Sequence, residues 1–63
     1  MNAYGVETAG GAPITTVYAH GVDGARQRAR EVLDRPGRRQ LLRQWQADGE
    51  PVRDKSTNHV QTR

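Results

Sequence analysis

Between Val22 and Arg43 the apolar residues fall at helical spacing while the positions around them fill with arginine. The stretch carries seven arginines and three acids, a local charge of +4 on a chain whose total is +3. The segment that must pack to make a fold is therefore also the segment that displays the charge. That restricts the chain to folds in which a helix buries a narrow stripe and leaves its flanks wet, and it points to a small binding module.

Val22, Ala25, Ala29, Val32 and Leu33 step by three and four. At about 100° per residue they share one arc, the signature of an amphipathic helix. The spacing predicts a helix over residues 22–35, with Asp23 as its N-cap just after Gly21. The two alanines allow close approach to a sheet. Arg26 and Arg30 flank one edge of the stripe, and Arg28 and Arg35 the other. Their stems can cover apolar surface while the guanidinium groups stay in water. Glu31 lies on the outer face, four residues before Arg35, at the spacing of a weak helical ion pair.

The first 21 residues read as strand. Ile14-Thr15-Thr16-Val17-Tyr18-Ala19 is β-branched and aromatic. Upstream, Tyr4 and Val6 alternate with Gly5 and Glu7, and Ala9-Gly10-Gly11-Ala12-Pro13 between them has turn chemistry. A β-hairpin of residues 3–8 with 14–19 follows. Alternation puts Ile14, Thr16 and Tyr18 on one face and Thr15, Val17 and Ala19 on the other. Both faces carry apolar groups, so one calls for a cover from the second helix or from another subunit.

Arg35-Pro36-Gly37 breaks the first helix, and Pro36 fits the first turn of a new one. Residues 40–47 are good helix formers, and Gly49 supplies a stop. Leu41, Leu42 and Trp45 share a face. Arg39, Arg43 and Gln46 line a neighbouring one at i, i+4 and i+7. Asp48-Gly49 is also a hairpin signal, so residues 41–46 and 51–54 compete as paired strands. Residues 51–54 are expected to pack loosely. Val60 alone cannot offset the ordering cost of the last residues, which predicts a disordered tail over 55–63 after a single domain of residues 1–54. The expected fold class is a small α+β domain: a β-hairpin, an amphipathic helix and a second short helix.

Composition bounds the function. Sixty-three residues make at most one domain with a thin core, since only 33% are hydrophobic and phenylalanine is absent. Extra burial from self-association, such as a homodimer, or from a partner is a reasonable expectation. With no cysteine, disulfides and thiolate metal sites are excluded. No apolar run is long enough to span a membrane, and the N-terminal residues show no secretory pattern. A cytoplasmic chain that is complete from its methionine is expected. Nine of the ten basic residues are arginine. With the abundant alanine and glycine, that skew is also what a GC-rich gene produces without selection for binding.

Catalytic sets are missing. His20 and His59 are the only histidines, Ser56 is the only serine, and the seven acids are scattered. A metal site needs several ligands at fixed geometry, and acid–base work needs paired groups in a cleft. No enzyme, no cofactor and no metal is expected. Gly10-Gly11 lacks the residues of a phosphate loop. At the helix start, Asp23 would repel an anion drawn to the free N–H groups.

The candidate contact residues are Arg26, Arg30, Arg38, Arg39, Arg43 and Gln46, because guanidinium forks pair with carboxylates or phosphates. Trp45 and Tyr18 are candidate aromatic anchors, with a core role the competing reading for Trp45. Two short helices near Pro36-Gly37 superficially fit a helix-turn-helix, with Arg38, Arg39 and Gln40 as readers. A strand pair ahead of them and the lack of a third helix argue against it. The expected function is a small non-enzymatic protein-binding regulator or inhibitor. Phages and mobile elements encode such proteins, which act on larger nucleic-acid-handling complexes such as CRISPR effectors or polymerases. The alternative is direct DNA or RNA binding through the arginine-rich surface.

Overall fold

A computed structural model describes residues 1–55. The chain runs β1 (Asn2–Glu7), β2 (Pro13–Ala19), α1 (Val22–Leu33), α2 (Arg39–Ala47) and β3 (Val52–Asp54). This is a small α+β domain: three antiparallel strands in the order β2-β1-β3, with the helices packed on one face. The expected tail, with Ser56, His59 and Val60, falls outside the described residues, apart from Lys55.

The hairpin forms as its β-branched run predicts. Tyr4 pairs with Val17 and Val6 with Thr15. Thr8 closes the loop: its Oγ1 accepts the Ala12 N–H at 3.0 Å, and its carbonyl accepts that of Gly11, which sits at φ +91°. The ladder slips between Val6 and Glu7, so that Glu7 opposes Pro13 and Ile14 becomes the extra residue of a bulge. Strict alternation puts Ile14 beside Tyr18. The slip explains why Ile14 instead packs against the core.

Residues 51–54 neither pack loosely nor pair with residues 41–46. Val52 pairs with Val6 and Asp54 with Tyr4, which makes β1 the central strand. The ladder continues at both ends, where Glu7 N–H donates to the Pro51 carbonyl and Lys55 N–H to that of Ala3. Residues 39–47 stay helical, as propensity predicts over the competing hairpin.

Helix α1 buries Ala25, Ala29 and Leu33 and half-buries Val32. Val22 is exposed. A helical side chain leans over the turn preceding it, and the first residue has no such turn. The N-cap is Gly21 in extended conformation, not Asp23. The chain enters the helix directly at Gly21, so Asp23 lies inside the first turn, where its charge still suits the helix dipole. The helix ends at Leu33. Arg38 N–H then donates to the Arg35 carbonyl at 2.9 Å, with Pro36 and Gly37 (φ +88°) between them. Proline followed by a left-handed glycine is the type II pattern. Pro36 therefore belongs to the turn, and α2 starts only at Arg39.

The core joins Tyr4, Val6, Val17 and Ala19 of the sheet to Ala25, Ala29 and Leu33 of α1 and Trp45 of α2. Ile14, Val32, Leu41, Leu42 and Val52 fringe it. Trp45 is the largest side chain fully inside, and its indole N–H donates to the Pro51 carbonyl at 3.0 Å. Burial without that bond would leave the donor unsatisfied.

Candidate partner-binding surface

The arginines divide into two sets. On α1, Arg26 and Arg30 turn inward along the molecule's flank and meet Glu50. Arg30 grips both carboxylate oxygens, Nε to Oε2 at 2.5 Å and Nη2 to Oε1 at 2.6 Å. Arg26 donates from Nε to the Glu50 carbonyl at 3.1 Å and lies 3.9 Å from Asp23. The Glu50 side chain is only 17% exposed. Its carboxyl is held below the usual glutamate range by the Arg30 hydrogen bond, against the opposing effect of burial, with further help from Gln46 and Arg26.

Glu50 reaches this position through the end of α2. Gly49 at φ +93° sends its N–H to the Gln46 carbonyl, and Glu50 sends its own to that of Trp45. These are the two bonds of a Schellman stop. Glu50 is itself left-handed, at φ +55°. The helix stop therefore aims this carboxylate back at α1.

The second set lies at the turn between the helices. Arg35 and Arg38 bound it, Arg39 opens α2, and Arg43 follows one turn later on the same face. Only Arg39 has an acidic partner among the described residues, Asp34 at 3.3 Å, and both side chains of that pair are about two-thirds exposed. Arg35, Arg38 and Arg43 form no ion pair there and are exposed. Helix α2 contains no acid at all. Elsewhere Arg28 pairs with Glu31 at 3.2 Å and Arg53 with Glu7 at 2.9 Å. The free forks can take a carboxylate or a phosphate two bonds at a time.

The candidate contact residues are thus not one surface. Arg38, Arg39 and Arg43 gather at the corner, which also includes Arg35. Arg26, Arg30 and Gln46 collect around Glu50 instead. Trp45, 1% exposed, is enclosed in the core, whereas Tyr18 stands 61% exposed on the sheet face away from the helices. On that face Lys55 lies over Gly5 and donates to Thr16 Oγ1 at 3.2 Å. Sequence reasoning missed Glu50 and Lys55. The available signal for Glu50 was weak: a single acid just past a helix stop, in a chain with surplus arginine.

Among the described residues no group of three or more His, Cys, Asp or Glu is arranged to hold a metal, and no helix is long and apolar enough to cross a membrane. Comparison with protein-family models, with curated proteins and with solved structures finds no match.

Proposed function

We propose that this chain is a small non-enzymatic protein-binding regulator or inhibitor, of the kind phages and mobile elements encode. It acts in the cytoplasm on a larger nucleic-acid-handling complex and docks on an acidic surface of it. The observation that carries this reading is the corner of Arg35, Arg38, Arg39 and Arg43, four exposed arginines of which only Arg39 has an acidic partner among the described residues, the exposed Asp34. Arg26 and Arg30 are already engaged by Glu50, and the corner arginines are not engaged in that way. Leaving the corner open suits a partner that supplies the carboxylates.

The test is capture from a lysate of cells carrying the gene, at physiological salt and after nuclease treatment. The tagged chain is expected to retain a defined protein, and the Arg39→Glu/Arg43→Glu variant to release it. Equal retention by both would sink the reading.

Direct DNA or RNA binding is favoured by one specific feature: Arg39 and Arg43 stand four apart on an acid-free helix, a spacing that can follow successive phosphates. Its signature is fluorescence anisotropy with labelled strands that weakens steeply with salt, as bound phosphates release counterions. Binding by Arg39→Glu/Arg43→Glu equal to the parent's would exclude it.

A further inference from the structure

The two edges of the sheet are built differently. The β3 edge is three residues long, follows Pro51 and carries Arg53, Asp54 and Lys55. Shortness, proline and charge are the usual guards against a strand adding there. The β2 edge has none of them beyond Pro13 at its start. It is seven residues long and lies within an uncharged stretch from Thr8 to Val22, in a chain that is 27% charged. Every second residue of an edge strand turns its N–H and C=O away from its neighbour. Among the described residues no backbone group takes those of β2 on its outer side. Among the described residues the exposed large apolar side chains are Tyr18 and Val22, within this stretch, and Met1, which lies beside Thr16 and Tyr18. Met1 and Tyr18 line a groove of about 410 Å³ beside the edge, with Val32 and Arg28 of α1 on its far wall.

We propose that β2 pairs antiparallel with β2 of a second copy of this chain, about a two-fold axis near Thr16, joining the two sheets into one of six strands. The occupant follows from charge. A copy of β2 sets uncharged β-branched and aromatic residues opposite their own kind, with no like charges facing. Cross-strand partners share a face, so Tyr18 of each copy packs beside Thr16 of the other, while Ile14 stays on the core side of the sheet. The two-fold axis stands perpendicular to the sheet, so all four helices lie on one face with the two α1 helices antiparallel. The flank of α1 on this side carries Arg28 and Glu31, already 3.2 Å apart. Opposite charges on one flank are self-complementary across a two-fold. The arginine corner is not, and two copies meeting there would repel. This surface is separate from the corner, so either proposal can fail without the other.

Sedimentation equilibrium of the full chain tests the pairing, from micromolar to millimolar concentration at physiological salt. The parent is expected to associate as a dimer. Thr16→Glu changes an exposed side chain next to its own Lys55 and sets two carboxylates near each other across the axis, so association should weaken by about tenfold or more. Its far-UV circular dichroism should stay that of the parent. Should that signal be lost, Tyr18→Glu replaces it. Mixing Thr16→Glu with Thr16→Lys should restore association. A parent that stays monomeric to millimolar concentration overturns the proposal. So does a dimer that the folded variant leaves intact, or association that does not return on mixing.

Discussion

Glu50 holds a left-handed backbone, a conformation that costs a non-glycine residue about 1 kcal/mol or more. Each of its polar groups is engaged: the N–H on Trp45, the carbonyl with Arg26, the carboxylate with Arg30. Glu50→Gln keeps the shape and removes the charge, and its melting temperature at neutral pH should fall below the parent's. Because the folded carboxyl titrates below its ordinary value, its contribution is complete above that ordinary value, about pH 4.3. It is lost as pH falls through the lower folded value. Thermal melts of parent and Glu50→Gln should therefore converge on acidification. A gap that does not depend on pH would show that the charge is not its source. Trp45 is the other residue on which the fold leans. Trp45→Phe removes volume and one of the two donors to the Pro51 carbonyl, which keeps the Glu7 N–H, and should cost about 1–3 kcal/mol in urea denaturation followed by circular dichroism. The shared face with Leu41 and Leu42 made a core position for Trp45 readable in advance. The Glu50 contacts were not readable, because Arg30 and Glu50 are twenty residues apart and only the tertiary fold brings them together.

At the scale of elements, the hairpin and both helices follow from local pattern: β-branched alternation for β2, three-and-four spacing for α1, helix formers before a glycine for α2. Strand β3 does not. Three residues are too few to show a period, and their partner β1 lies at the other end of the chain. The Ile14 bulge was equally hidden, since a slip in register depends on the partner strand and loop. Two glycines separate backbone need from side-chain space. Gly49 sits at φ +93°, and Gly49→Ala should destabilise by about 1 kcal/mol. Gly24 lies inside α1 with no positive φ, and an added Cβ would meet Ala19 Cβ at an ordinary 3.4 Å. Gly24→Ala should therefore stabilise by up to about 1 kcal/mol through helix propensity. Chemical denaturation of both variants checks the contrast, and a loss of stability in Gly24→Ala would contradict it.

For the whole molecule, what matters is how the arginines are allotted. Charge pattern alone shows a basic segment, and it cannot tell an arginine that braces the fold from one that waits for a partner. The difference arises when β3 takes its place beside β1 and brings Glu50 against α1. The corner arginines then remain as the part of the basic surface that a single internal acid, Asp34 on Arg39, balances. The proposed docking surface depends on this division, and the proposed β2 pairing would leave it untouched. The most direct test is thermal unfolding of Arg30→Gln and Arg43→Gln beside the parent, read by the fluorescence of the single buried tryptophan. Arg30→Gln should melt clearly below the parent, and Arg43→Gln should match it. Equal losses in the two variants, or a larger loss in Arg43→Gln, would contradict the division on which the account rests.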